Sequence, residues 1–301
     1  MKLEPTHAVK KYVNEKAIKP SMRIVEVSSF PILSISARQF DVVITDGWMI
    51  YRTRSGDIIP VLSSVWNRRI ANVTFTGRGN IVAYGDYRSW YIDDDDVRLR
   101  VRRVPYLYAT SNYYGRVVCK FGMMLACIVV PGGSGWLRRE VIVTRAFPYK
   151  GGVVFADGSI RVYDIDIATG VIETFTARYP VISVSKAGAK PLICAVTDDW
   201  QVRVFRGKHW GAEDRVRNPD IHFRSGGSLC TCATRSGLIF CGGDHIRFTR
   251  GSLADRIWCT VEIPALARCC TVSRDSVWFG LENGCVLSID IEEAWRHVDS
   301  L

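Results

Sequence analysis

Short apolar runs occur in pairs along the chain, and each pair is joined by a turn rich in Asp, Asn or Gly. The first pair runs from Val42 to Tyr51 and turns at Asp46. Five further pairs follow the same pattern: Ile81 to Asp93, Val153 to Asp164, Ile193 to Arg206, Leu238 to Arg250 and Val277 to Asp290. Asp, Asn and Gly tolerate the backbone angles of tight turns, and the flanking β-branched and aromatic residues suit a pleated surface. The pattern therefore predicts six β-hairpins.

The hairpins recur about every 40 residues, except for one interval of 71 residues between Asp86 and Asp157. Within that interval an apolar run, 124–130, a Gly-rich turn, 131–135, and a second run, 136–143, form a seventh hairpin. Repeats of this length are typical of a β-propeller, in which four-stranded blades surround a channel. The sequence predicts an all-β fold: a single β-propeller of about seven four-stranded blades, with six blades as the alternative.

Two further runs complete each repeat. Runs that alternate small and apolar residues precede the hairpins and predict innermost strands, because only small side chains fit beside the channel. They are Ile32 to Ala37, Ala71 to Thr76, Val117 to Phe121, Val181 to Ser185, Leu229 to Ala233 and Ala267 to Thr271. Looser runs follow the hairpins and predict exposed outer strands: Ile58 to Leu62, Val97 to Val104, Val171 to Thr176 and Ile257 to Ile263.

The two ends of the chain predict how the ring closes. Arg23 to Ser28 belongs to no complete repeat, and the last hairpin lacks a strong outer strand, so we expect these two to pair. Glu292 to Val298 is the competing closing segment, although it resembles a helical turn. We expect residues 1–22 to form a basic N-terminal extension, with a short helix between Pro5 and Pro20, and residues 23–301 to form the propeller.

Composition favours one soluble unit. The chain has 301 residues, of which 48% are hydrophobic, and no apolar run reaches the roughly 18 residues of a membrane span. Because the N-terminus also lacks the apolar stretch of a signal peptide, we expect a cytoplasmic or nuclear protein. The ten cysteines fall mostly within predicted strands, where reduced thiols pack as small apolar groups. The alternative is a zinc site built from His222, Cys230, Cys232, Cys241 and His245, although no Cys-x-x-Cys spacing supports it.

One repeat has a more specific motif. Ala156 to Asp164 reads Ala-Asp-Gly-Ser-Ile-Arg-Val-Tyr-Asp and is followed by Ala168-Thr169-Gly170. It resembles the end of a WD40 repeat, in which a D-G-x-x-x-x-W-D run leads into an outer strand, with Tyr163 in the place of the Trp. Weaker similarities end at Asp93 and Asp290. The resemblance to the WD40-like superfamily implies a rigid disc whose faces bind other proteins, usually as a scaffold or adaptor in a complex.

Charge indicates what such a disc binds. Forty Lys and Arg against thirty Asp and Glu give a formal charge of +10, which favours acidic partners. In the run 97–104, Arg98, Arg100 and Arg102 share one face of a predicted strand. These arginines either bind phosphate or carboxylate groups of a partner or protect a sheet edge from pairing with another molecule. A second cluster combines basic and aromatic residues around a long loop: Trp200, Arg203, Arg206, Lys208, Trp210, Arg215 and Arg217. These ten residues are the candidate partner-binding residues.

The sequence offers little for catalysis. No Ser-His-Asp arrangement, phosphate-binding loop or metal-hydrolase spacing occurs, and the acidic run 93–96 reads as a solvated loop because consecutive carboxylates cannot converge on one ion. We expect no catalytic residues, no metal and no cofactor, while an active site assembled from several loops stays an alternative. The predicted function is a noncatalytic scaffold for protein partners in a multiprotein complex. The alternative is a propeller that binds RNA or DNA in a ribonucleoprotein or chromatin complex.

Overall fold

Strands dominate the architecture. A computed structural model describes residues 14–54, 56–63, 69–75, 80–85, 88–92, 102–103, 106–111, 116–121, 124–129, 139–140, 145–149, 152–156, 159–166, 172–176, 180–186, 192–197, 201–206, 214–217, 230–233, 237–242, 245–249 and 257–300. These residues form 29 strands and one helix. The strands make up seven sheets, six of four strands and one of five. The predicted all-β propeller fold is confirmed.

The described part of the chain begins with two strands, β1 (Asn14–Ala17) and β2 (Met22–Glu26), which join the last two sheets. The next four sheets follow the order of the chain, each from its innermost to its outermost strand. The first contains β3 (Ser34–Arg38), β4 (Asp41–Thr45), β5 (Met49–Arg54) and β6 (Asp57–Ser63); the second, β7 (Ile70–Phe75), β8 (Ile81–Gly85), β9 (Arg88–Ile92) and β10 (Arg102–Arg103); the third, β11 (Tyr106–Ser111), β12 (Arg116–Phe121), β13 (Met124–Val129) and β14 (Arg139–Glu140); the fourth, β15 (Arg145–Tyr149), β16 (Gly152–Ala156), β17 (Arg161–Asp166) and β18 (Ile172–Thr176).

Three more sheets and a C-terminal helix complete the fold. The fifth sheet contains β19 (Val181–Lys186), β20 (Leu192–Thr197), β21 (Gln201–Arg206) and β22 (Asp214–Arg217); the sixth, β23 (Cys230–Ala233), β24 (Leu238–Gly242), β25 (His245–Thr249), β26 (Ile257–Glu262) and β1; the seventh, β27 (Ala267–Val272), β28 (Ser276–Leu281), β29 (Cys285–Asp290) and β2. The helix α1 (Ile291–Asp299) follows β29 directly.

The innermost strands lie side by side in chain order, from β3 through β7, β11, β15, β19 and β23 to β27, and β27 lies against β3 again. Hydrogen bonds, two of which follow, join the last blade to the first. The N–H of Ala37 donates to Oγ1 of Thr271 at 3.2 Å, and the N–H of Arg274 donates to the carbonyl of Gln39 at 2.7 Å. The seven sheets therefore run in a ring that returns to its starting point.

The N-terminal strand β2 completes the seventh sheet. It pairs antiparallel with β29, from Met22 opposite Ile289 to Glu26 opposite Cys285, where the sequence predicts the closing pairing. The competing segment near the C-terminus forms α1 instead. Gly284 fixes the end of this pairing, because its φ is +81° and a Cβ there would lie 1.8 Å from the carbonyl oxygen of Ser28. Any side chain at this position would push the closing segment off the sheet.

Three elements differ from the sequence-based expectations. The run Val117 to Phe121, predicted as an innermost strand, lies in β12, the second strand of its sheet, because β11 pairs on its inner side. The run Ile257 to Ile263, predicted as an exposed outer strand, is covered by β1, which pairs with β26 in parallel. The same β1 occupies part of the segment in which a short helix was expected between Pro5 and Pro20.

The core lies between neighbouring sheets and not within one layer. Between the first two sheets, buried residues include Ile50, Val73 and Phe75, and between the sixth and seventh they include Phe248 and Phe279. The α1 helix extends the latter cluster, since its Trp295 packs edge-on against Phe248 with ring centroids 5.7 Å apart. Apolar residues at alternate strand positions thus pack adjacent blades against each other.

One contact between the fourth and fifth sheets is charged. The Nζ of Lys186, at the end of β19, donates a short hydrogen bond to Oδ2 of Asp164 on β17, and both residues are more than nine-tenths buried. Asp164 is the last residue of the motif that resembles a WD40 repeat end. A buried charge requires a counter-ion, so the pair links the two blades at the motif position.

Candidate interaction surface

The alternating strand directions give the ring two faces. We call upper the face that carries the turns between second and third strands, such as 46–48 and 282–284, together with the connections into the innermost strands. The lower face carries the turns between first and second strands, such as 39–40 and 273–275. Each face therefore collects side chains from several blades at short loops, which is where propellers present binding residues.

On the upper face, Asp46 organises the first turn. Its Oδ1 accepts hydrogen bonds from the N–H groups of Trp48 and Met49, both at 2.7 Å. Its Oδ2 accepts from the hydroxyl of Ser28 at 2.5 Å and from that of Tyr51 at 3.2 Å. Burial, followed by the charge of Asp46, raises the pKa of Tyr51, so this hydroxyl stays protonated and keeps donating. Four hydrogen bonds to one buried carboxylate make the turn rigid.

The Ser28–Asp46 hydrogen bond joins the two upper-face segments that carry the exposed aromatic residues Phe30 and Trp48. Phe30 lies two residues beyond Ser28, and its N–H donates to the Ser28 hydroxyl at 3.0 Å. Trp48 lies two residues beyond Asp46. Phe30 is 50% exposed and Trp48 is 39% exposed. We call these two residues the Phe30–Trp48 patch.

One arginine lies beside this patch, and a second lies elsewhere on the upper face. Arg69 is exposed, and its Nε would lie 3.3 Å from a Cβ at Gly47, in the same turn as Trp48. Arg268 is held by Glu282, with Nη2 2.6 Å from Oε1. Exposed Trp and Phe beside Arg on a rigid backbone are the side chains that protein interfaces use most strongly.

The lower face carries a single large exposed apolar side chain among the residues that the structure describes, Phe40, at 57% exposure. The guanidinium carbon of Arg274 lies 5.3 Å from the centroid of its ring, which is a cation–π contact between the first and seventh sheets. Gln39, beside it, has a positive φ of 54°. This aromatic residue already has an intramolecular partner, so the upper patch is the stronger binding candidate.

The structure describes the backbone of five of the ten predicted partner-binding residues. Arg203 in β21 is directly opposite Arg215 in β22, and Arg217 is opposite Gln201. By the two-residue alternation of strands, Arg203, Arg215 and Arg217 share one face of this sheet, while Arg206 belongs to the other face. The remaining described member, Arg102, is opposite Ser89 in the second sheet, which does not adjoin the fifth. The predicted residues outside the described parts are Arg98, Arg100, Trp200, Lys208 and Trp210.

Within the described ranges, side chains that could bind a metal ion do not cluster into a site. No group of three or more His, Cys, Asp or Glu residues comes together there. Of the residues in the zinc alternative, Cys230 is opposite Cys241 across β23 and β24, and His222 lies outside the described residues. Of the described cysteines, Cys241, Cys259, Cys269, Cys270 and Cys285 form no disulfide bond. No helix of the described chain is long and apolar enough to cross a membrane.

Sequence reasoning did not single out Phe30 or Trp48. The signal for Trp48 was present, because a large aromatic residue directly after the Asp46-Gly47 turn sits at the tip of a hairpin, where little can cover it. Phe30 carried no such signal, since its position depends on the pairing of β2 with β29 on the far side of the sequence.

The sequence matches no protein-family model and no curated protein. Solved structures are similar in fold at 10–12% sequence identity. U3-55K has a TM-score of 0.72, with 91% of this chain and 100% of that chain covered at 10% identity. A chain of the Mitotic Checkpoint Complex has a TM-score of 0.71, with 97% and 96% covered at 10% identity. Virginiamycin B lyase from Staphylococcus aureus has a TM-score of 0.66, with 91% and 100% covered at 12% identity.

Proposed function

We propose that this chain, which has a WD40-like β-propeller fold, is a noncatalytic scaffold that holds protein partners in a multiprotein complex. The observation that carries the proposal is the Phe30–Trp48 patch: two exposed aromatic residues on one face, whose backbone N–H groups bond to Ser28 and to the buried Asp46, respectively. Rigid aromatic anchors lose little conformational entropy on binding, which is why interfaces use them.

Charge supports an acidic partner. The formal charge of the chain is +10, and exposed Arg69 lies beside the patch. Complementary charge raises association rates and disfavours partners of the wrong sign. We extend the proposal to the predicted basic residues as a second contact region, which would hold a partner through bidentate arginine contacts. The proposal assigns the protein to the cytoplasm or the nucleus.

The neighbouring folds support this reading to different degrees. One similar structure is a chain of the Mitotic Checkpoint Complex, so the fold occurs in a multiprotein assembly. Another, virginiamycin B lyase, is named as an enzyme, so the fold by itself decides neither role. The scaffold proposal therefore rests on the exposed patch and the charge of this chain.

A nucleic-acid-binding role is the second candidate. The side-by-side positions of Arg203 and Arg215, with Arg217 on the same face, favour it, because closely spaced arginines are suited to phosphate groups. Such binding would weaken steeply with salt, and replacing these three residues with Ala would lower affinity about equally for all sequences.

Affinity purification of the tagged protein from its native cell, with and without nuclease, tests both candidates. The scaffold proposal predicts that a defined set of proteins copurifies even after nuclease treatment. The amount of these proteins should fall about tenfold or more with the Phe30→Ala/Trp48→Ala double variant. Phe40→Ala is the matched control, because it removes a similarly exposed aromatic ring from the lower face. Equal melting temperatures of the variants would show that folding is intact.

Each outcome has a definite meaning. Loss of all partners on nuclease treatment would replace the scaffold with the nucleic-acid candidate. Partners that survive the double variant unchanged would refute the Phe30–Trp48 patch as the docking surface. If nothing copurifies in either condition, the scaffold proposal fails and an active site assembled from loops becomes the hypothesis to test.

A further inference from the structure

The outer edge of the seventh sheet differs from those of the first, fifth and sixth sheets. Among the residues that the structure describes, β2 is the last strand of its sheet, and two of its large apolar side chains are exposed: Met22 at 39% and Ile24 at 45%. An outermost strand offers unpaired backbone N–H and C=O groups, so an apolar outermost strand is a template for another strand.

The outer strands of three other sheets are protected. In the first sheet, β6 contains Pro60, which lacks an N–H and interrupts pairing. In the fifth sheet, β22 reads Asp-Arg-Val-Arg, so three of its four residues are charged. In the sixth sheet, β26 is covered by β1. That last sheet also demonstrates that the rim of this propeller accepts an added extended segment.

The hydrogen-bonding phase of β2 shows which residues face outward. The N–H of Val27 donates to the carbonyl of Gly284 at 3.2 Å, in register with the β2–β29 pairing. Because hydrogen-bonded and non-hydrogen-bonded positions alternate in an antiparallel pair, Val25 and Arg23 also bond to β29. The N–H and C=O groups of Met22, Ile24 and Glu26 therefore point to the free edge.

Charged residues of both signs surround this edge. Lys16 and Lys19 are exposed and precede β2 by a few residues, and the side chain of Arg23 is 52% exposed with Asp57 4.0 Å away. Glu26 is exposed at the far end of the strand, and Glu293 accepts hydrogen bonds from Ser21, just before β2. The two lysines and the formal charge of +10 on the whole chain favour an incoming segment that alternates apolar and acidic side chains.

We propose that the free edge of β2 binds an extended, acidic and apolar segment of a partner protein, which adds as a fifth strand to the seventh sheet. The backbone groups of Met22, Ile24 and Glu26 supply the hydrogen bonds, and the exposed Met22 and Ile24 side chains contact alternate apolar residues of the segment. This rim site is separate from the Phe30–Trp48 patch and does not depend on the function proposed for that patch.

Peptide binding to the full chain tests the proposal. Three labelled peptides of about seven residues are compared by fluorescence anisotropy: alternating Glu and Val, alternating Lys and Val, and the Glu/Val composition arranged in two blocks. The first should bind at least about tenfold more tightly than the other two. Equal binding of the Lys/Val peptide, or no binding of the Glu/Val peptide, would overturn the proposal.

Two substitutions locate the binding to the edge. Ile24→Pro removes one outward N–H and leaves the inward hydrogen bonds of Arg23 and Val25 in place, so it should weaken binding of the Glu/Val peptide about tenfold or more. Ile24→Glu keeps the N–H and repels the acidic peptide, which guards against misfolding of the Pro variant. Phe40→Ala is the control that should bind normally. Unchanged binding by both Ile24 variants would refute the site.

Sedimentation velocity distinguishes the other occupant of this edge. A concentration-dependent dimer that Ile24→Pro disperses would assign the edge to a second copy of the chain and would overturn the partner-segment proposal. The copurification experiment with Phe30 and Trp48 variants reports on the upper face alone, so failure of one proposal leaves the other result interpretable.

Discussion

The buried Asp164–Lys186 pair yields the sharpest prediction about stability. The two residues are 7% and 9% exposed and link the fourth and fifth sheets. Asp164→Leu or Lys186→Met alone leaves the remaining charge buried and deprived of this counter-ion. The double replacement Asp164→Leu/Lys186→Met removes both charges and keeps similar side-chain volumes.

The expected magnitudes follow from the burial. Removing one partner of a buried pair costs about 3–5 kcal/mol, while replacing both with apolar groups is often neutral or stabilising. Against a total stability of about 5–15 kcal/mol, each single variant should lose a large share of the free energy of unfolding. The double variant should recover most of that loss, which gives a coupling of about 3 kcal/mol or more between the two positions.

Urea unfolding of the four proteins, followed by tryptophan fluorescence and by far-UV circular dichroism, measures this cycle. Free energies are compared where the two signals change together. Arg23→Met is a suitable control, because the Arg23–Asp57 pair is exposed, at 4.0 Å, and should contribute about 1 kcal/mol or less. Single variants within about 1 kcal/mol of wild type, or costs that simply add in the double variant, would refute the reasoning.

Three further predictions concern the closing segment and the C-terminal elements. Deletion of residues 1–28 removes β2 and should sharply lower the melting temperature, and an unchanged melt would contradict closure by this strand. Hydrogen bonds from the backbone N–H and then from the hydroxyl of Ser21 lower the pKa of Glu293. Ionised Glu293 therefore stabilises the fold fully above the ordinary pKa of Glu. This stabilisation is lost as the pH falls through the lowered pKa. Glu293→Gln should therefore reduce the melting temperature at about pH 7 and reduce it less as the pH falls through the lowered pKa of Glu293; an equal reduction at every pH would exclude this linkage. Burial, followed by the charge of Glu26, raises the pKa of Cys285. Glu26→Gln should therefore increase the rate at which iodoacetamide alkylates Cys285, as measured by mass spectrometry. An equal rate in both proteins would show that the charge of Glu26 does not affect this thiol.

Hairpins were the part of the fold that local sequence determined best. The turn at Asp46 and the hairpin from Val277 to Asp290 depend on residues adjacent in the chain, so their pattern of apolar runs and turn residues suffices. Innermost strands were less accessible. Tyr106–Ser111 contains two tyrosines and did not fit the expectation of small side chains, yet its pairing with β12 makes it innermost. The amino-acid composition of a strand reflects its environment only indirectly, whereas hydrogen bonding to neighbouring strands fixes its position within the sheet.

The binding surface was predictable only in part. The sequence predicts a basic chain, and strand alternation separates Arg203 from Arg206, but only the register places Arg203 opposite Arg215. The Phe30–Trp48 patch needed the whole ring, since Ser28 and Asp46 meet only after β2 has paired with β29. Exposure is a property of the assembled surface, and a single sequence does not state which aromatic residues stay uncovered.

By itself the sequence determined the all-β architecture, the repeat of about 40 residues and the positive charge, because strand periodicity, turn chemistry and composition are local properties. Tertiary structure alone decided that β1 joins the sixth sheet, that β2 leaves an apolar edge exposed and that Asp164 pairs with Lys186. Each of these depends on contacts between segments distant in the chain, whose free energy is realised only when the sheets come together in the ring.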